Sequence, residues 1–145
     1  KFSNLDQMGN PGSHVALSHS DTDFPLFRLA DVKLMLAEAS LKVGDQTTAL
    51  ENINDIRVRA YGNSNHNFST VTLDDVLDER SKELYWECTR RTDLIRFNKF
   101  TGSDLVWSFK GGTTDGAAVD EFRSLYPLPT YDIVNNPNLS QNSGY

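Results

Sequence analysis

Between Leu77 and Arg91 the sequence LDERSKELYWECTRR sets Asp78, Glu79, Glu83 and Glu87 among Arg80, Lys82, Arg90 and Arg91. Carboxylates at this density could serve acid–base chemistry or a hard-metal site. The spacing argues against both. Cleaving a glycosidic bond takes two carboxyl groups opposed across it, about 5–5.5 or 6.5–9.5 Å apart. Acids that neighbour one another on one helix, interleaved with Arg and Lys, neutralise each other instead. The expectation is a structural network in which Arg80, Arg90, Arg91 and Arg96 pair with Glu83, Glu87 and Asp93. Guanidinium groups are planar and bidentate, suited to buried pairing and to loop carbonyls. These arginines are therefore expected to fasten the irregular C-terminal region to the helices. Asp78–Lys82 and Glu87–Arg91 also stand at i,i+4 in the acid-first order, worth about 0.2–0.5 kcal/mol each. No catalytic residue is expected.

Other chemistry is sparse. His14, His19 and His66 lie in loops at unrelated spacings, and no HxxxH pair is present. No metal and no cofactor is expected on that pattern. Cys88, the single cysteine, excludes an internal disulfide framework. It falls within a predicted helix whose apolar face can bury it, so it is expected in the core. The Gly111-Gly112 loop lacks the Lys-Ser/Thr of a phosphate cradle and reads as a turn.

Helices must carry these residues. Phe27–Val43 repeats Ala30, Leu34, Ala37 and Leu41 as one apolar stripe, widened by Met35 and Ala39. Gly44 follows as a left-handed stop and Asp45 as an N-cap. The second helix, Gln46–Ala60, has the stripe Ala49, Ile53, Ile56 and Ala60, with Gly62 as its stop. So short a connection makes an antiparallel hairpin. Thr72, with Asp75 three residues on, opens a third helix, Leu73 to about Arg90, by a variant of the capping box. Thr92–Phe97 reads as a further turn or short helix. Beyond Phe100 the pattern dissolves: Leu125-Tyr126-Pro127-Leu128-Pro129 is too proline-rich for helix or central strand. A short helix is expected at Tyr131–Val134.

The expected fold is thus mainly α: a tetratricopeptide-like helical hairpin plus a third long helix, with long ordered loops packed on them. Residues 1–23 read as mostly loop, 24–100 as helical and 101–145 as mostly irregular. Lys1 is followed by a mixed, polar stretch rather than a secretory leader, and targeting information is expected upstream. The net charge of -6 repels polyphosphate and anionic lipid, which disfavours nucleic acid and membrane surfaces as partners. A neutral ligand meets no such barrier.

Three ordered segments carry a resemblance. They are RLADVKLMLAEA (Arg28–Ala39) with IRVRA (Ile56–Ala60), LDERSKELYWECTRRTDLIRF (Leu77–Phe97), and LYPLP (Leu125–Pro129) with NPNLSQNSGY (Asn136–Tyr145). Their order and spacing resemble the end of the SusD/RagB family. The resemblance implies the C-terminal part of a larger protein whose N-terminal part adds helices and a lipid-anchored cysteine. It also implies a non-enzymatic lipoprotein on the extracellular side of the outer membrane. Such a protein binds a glycan, or in some relatives a peptide, and delivers it to a SusC-like TonB-dependent transporter. A tetratricopeptide-like protein–protein module without a small-molecule ligand is the alternative; a glycoside hydrolase lacks its opposed carboxylates here.

For a sugar binder, flat side chains matter, because a pyranose stacks its apolar C–H face on them. Trp107 and Tyr61 lie near loops and are the expected ligand contacts. Tyr85 and Trp86, on the third helix, are expected to pack.

Overall fold

The computed structural model describes residues 8–10 and 25–145. Most of the loop expected over 1–23, with His14 and His19, lies outside the described residues. Among those described the fold is helical: α1 Leu29–Lys42, α2 Gln46–Tyr61, α3 Leu73–Glu83, α4 Arg90–Arg96 and α5 Thr130–Asn135. The mainly α fold read from the stripes is therefore observed.

α1 and α2 form the hairpin. Leu34 and Ala37 meet Ala49, Ile53 and Ile56 in a core completed by Val71, Val76 and Leu84. Alanines on both faces let the backbones approach closely. Asp45 accepts the Thr48 N–H at 3.0 Å and caps α2. The Thr48 hydrogen bonds hold its carboxyl below the usual range. At α3 the capping box is complete: Asp75 N–H donates to Thr72 Oγ1 at 3.2 Å, and Thr72 N–H donates to Asp75 Oδ2 at 2.8 Å. The edges of both predicted stripes face outward. Met35, Ala39 and Ala60 are exposed, so the buried contact is narrower than the apolar pattern.

The third helix is shorter than its sequence suggests. α3 ends at Glu83, and α4 begins only at Arg90. Trp86 and Cys88 between them take left-handed conformations, φ +68° and +62°. A continuous helix would bond the Glu83 carbonyl to the Glu87 N–H. Here that carbonyl accepts from Arg28 Nη2 at 2.8 Å, and the Glu87 N–H turns to Leu84 O at 3.0 Å. Arg28 thus takes over a carbonyl at the end of α3. The break removes Cys88 from the apolar face, and the thiol is exposed rather than in the core. Tyr85 and Trp86 are likewise 70% and 79% exposed, against the expectation that they pack.

The C-terminal region is irregular yet well bonded. Among the described residues a β-bridge joins Gly102 to Val119. The proline-rich strip 125–129 finds its partners in the tail. Gln141 accepts from Leu128 N–H at 2.8 Å and donates back to Leu128 O at 3.0 Å. Asn142 Nδ2 donates to Tyr126 O at 2.7 Å, and the Tyr145 hydroxyl donates to Leu125 O at 2.8 Å. Side-chain amides thus take the place of a ladder that proline forbids.

Candidate ligand-contact surface

Arg80, 4% exposed, lies between α1, α3 and α4. Its Nε donates to Asp93 Oδ2 at 2.8 Å and its Nη1 stands 2.8 Å from Asp31 Oδ1. Asp93 also accepts from Arg96 Nη2 at 2.8 Å, and Arg96 reaches across to Glu38 on α1. Arg57 joins α2 to α3 through Glu79 Oε2 at 2.6 Å, and its Nε donates to the His66 carbonyl at 2.7 Å. In the Arg80–Asp93 and Arg57–Glu79 pairs both charges leave water, so each depends on its partner.

Glu83 and Glu87 do not pair with Arg90, Arg91 or Arg96, contrary to the expected network. Both belong to Arg28. Its Nε and Nη2 grip Glu87 at 2.9 and 2.7 Å, and its Nη1 reaches Glu83 at 2.9 Å. The Glu87 hydrogen bond raises the Arg28 pKa above its ordinary value. Arg59 takes the other Glu83 oxygen. Glu87–Arg91 and Asp78–Lys82 do not form; Lys82 lies 3.9 Å from Glu79 instead. Arg28 stands 55 and 59 residues from these acids, beyond any local spacing rule.

The remaining arginines bond backbone. Arg90 donates to Leu77 O at 3.1 Å. Arg91 donates to Arg123 O at 2.8 Å and lies over the Tyr126 and Phe100 rings at 4.1 and 4.7 Å. Of the arginines named from sequence, Arg91 is the one that grips the segment leading into the proline-rich strip.

Glu38 tests for acid–base work. Burial pushes its carboxyl up, but hydrogen bonds from Arg96 and Lys42 outweigh burial and hold it below the usual range. A general acid for glycoside cleavage needs the opposite shift. Among the described residues no group of three or more His, Cys, Asp or Glu could hold a metal ion.

Tyr61 and Trp107 are each 47% exposed. Tyr61 closes α2 and stacks on His66 with centroids 4.2 Å apart, 29° between planes. The Arg57 guanidinium lies 5.4 Å from the Tyr61 ring centroid. Trp107 sits in the loop after α4, where the buried Lys110 places its ammonium 4.9 Å from the ring. Gly116, at φ +79°, makes that loop possible: a Cβ there would meet the Trp107 carbonyl at 2.2 Å. No ring contact joins the two aromatics, so the structure presents two separate platforms rather than one site.

The described residues thus form a helical scaffold with buried ion pairs, bonded loops and outward aromatic faces. The family model for the SusD family matches residues 1–145. The chain belongs to the SusD family. It is 43% identical to the starch-binding protein SusD of Bacteroides thetaiotaomicron over 145 residues, all of this chain and 25% of that protein. A SusD superfamily protein from Parabacteroides distasonis superposes with a TM-score of 0.70 at 31% identity, covering 88% of this chain and 28% of that one. Surface glycan-binding protein A from Bacteroides uniformis gives 0.69 at 25% identity, covering 85% and 28%. The chain thus spans about a quarter of the length of the curated relatives it matches.

Proposed function

We propose that this chain is part of a non-catalytic protein that captures a glycan at the cell surface for import. The observation that carries this reading is the 43% identity, over the whole chain, to a protein named for starch binding. In the finer reading, residues 1–145 form the C-terminal region of a longer lipoprotein. That lipoprotein is anchored by an N-terminal lipid to the outer membrane, facing outward, and delivers its ligand to a SusC-like TonB-dependent transporter. Trp107 and Tyr61 supply flat faces for sugar rings. Arg80 and Arg96, paired with Asp93, and Arg90 and Arg91, bonded to backbone carbonyls, are scaffold.

Support from the geometry is chemical. Glu38, Glu79, Glu83, Glu87 and Asp93 are each held by a cationic side chain, which suits scaffold better than proton transfer. Calorimetry with soluble starch, then a glycan array, on the intact natural polypeptide and on this chain tests the reading. Saturable binding is expected, with no release of reducing sugar. Absence of binding to a broad panel would favour the protein–protein module.

A further inference from the structure

The break after α3 leaves a cleft of about 770 Å³ whose lining includes Arg28, Arg59, Glu83, Tyr85, Trp86 and Glu87. Its size falls within the about 300–1,000 Å³ of small-molecule sites. Tyr85 and Trp86 stand side by side on its wall, ring centroids 6.0 Å apart and planes at 40°. They also border a second cleft of about 670 Å³ lined by Leu84, Cys88 and Thr89, so the pair forms a ridge between two hollows.

The ridge is held by strained backbone. Trp86 has φ +68°, a conformation that a bulky side chain rarely adopts. Such strain persists only where surrounding contacts impose it, and it concentrates at functional places. Here the imposing contact is Arg28, which holds Glu83 Oε1 and the Glu83 carbonyl on one side of the ridge and both Glu87 carboxylate oxygens on the other. The result turns the indole outward, 79% exposed, when a continuing helix would have allowed it to pack.

We propose that this cleft is a carbohydrate subsite in which a pyranose ring stacks on Trp86, or across the Tyr85–Trp86 ridge, and sets its hydroxyls against the Glu83 and Glu87 carboxylates. The subsite rests on the glycan-capture reading above and adds a location to it. Carboxylate oxygens each carry a second lone pair when one arginine N–H is bound, so they can accept from sugar hydroxyls while staying paired. Planar groups locked by mutual bonding lose little freedom on binding. The rim separates a sugar from a protein segment as occupant. Arg59 and Lys82 have side chains 60% exposed, with one carboxylate contact each. A covering protein surface would dehydrate both cations, at a cost that only matched acids repay. Sugar hydroxyls and the water around them leave them solvated. The ridge also fits a chain, with one unit of an oligosaccharide lying on either side.

The test measures the affinity of the intact natural polypeptide for maltoheptaose by calorimetry, with thermal melting alongside. Trp86→Ala is expected to bind at least about tenfold more weakly than the wild type at an unchanged melting temperature. Trp86→Phe, which keeps an apolar ring, should fall between them. Wild-type affinity in Trp86→Ala overturns the subsite and leaves glycan capture standing. A wild type that binds neither maltoheptaose nor any member of a glycan array overturns the parent reading, and the subsite with it. If Trp86→Ala melts several degrees lower, Tyr85→Ala and Trp86→Phe decide: undiminished affinity in both means that the ridge packs against protein, and the proposal fails.

Discussion

The Arg91 guanidinium lies 4.1 Å from the Tyr126 ring centroid while its Nη2 donates to the Arg123 carbonyl at 2.8 Å. One side chain on α4 thereby grips the strip 123–126 by its backbone and by its flat face. Removing it should cost about 1–2 kcal/mol, the sum of a cation–π contact and a charged hydrogen bond. Arg91→Ala is expected to melt lower and to be cleaved faster by protease within 101–129, with Arg91→Lys between the two. An unchanged melting temperature with lost ligand binding would overturn the scaffold role.

Arg80 offers a larger effect. It is 4% exposed and bonds Asp93, itself 3% exposed. Arg80→Met leaves that carboxylate buried with only Arg96 beside it, at a cost of about 3–5 kcal/mol. Urea denaturation should show a lower midpoint at constant slope. A loss below about 1 kcal/mol would mean that water reaches Asp93.

Glu38 predicts an acid limb. Its folded carboxyl sits below the ordinary value of 4.5, so the folded state binds a proton less readily than the unfolded chain. The stabilisation is therefore fully present above that value and is lost as the pH falls through the lower folded one. Glu38→Gln should be less stable than the wild type at neutral pH and should lose less on acidification. Chemical denaturation of both proteins at about pH 7 and about pH 3 reads the difference. Parallel losses would exclude Glu38 from the acid response.

Gly116→Ala should disturb the Trp107 loop. The added carbon meets the Trp107 carbonyl oxygen at 2.2 Å and Val106 Cγ1 at 2.6 Å, and the backbone is left-handed. The Ala117 amide, bonded to Lys110 O at 2.9 Å, should then exchange its hydrogen faster while α1 and α2 amides hold their protection. Unaltered exchange at Ala117 would show that the loop accommodates the methyl.

The amino-acid sequence determined the parts of this protein that depend on near neighbours. Leu34, Ala37, Ala49, Ile53 and Ile56 recur at helical spacing, and a period of about 3.6 residues puts them on facing stripes whatever else is present. The Asp45 cap and the Thr72–Asp75 box are three-residue devices and were legible for the same reason. The ordered segments that identify the family are also linear. Tertiary structure alone decided the break after Glu83. No glycine or proline marks it, because the group that ends the helix is Arg28, fifty-five residues upstream. The same distant side chain took Glu83 and Glu87 from the arginines beside them. It also moved Cys88, Tyr85 and Trp86 from an expected buried face to the surface. Charge pairing is set by which side chains meet in space, and a guanidinium with five donors can serve two carboxylates and a carbonyl at once. Spacing along one helix could not foresee a competitor arriving from another.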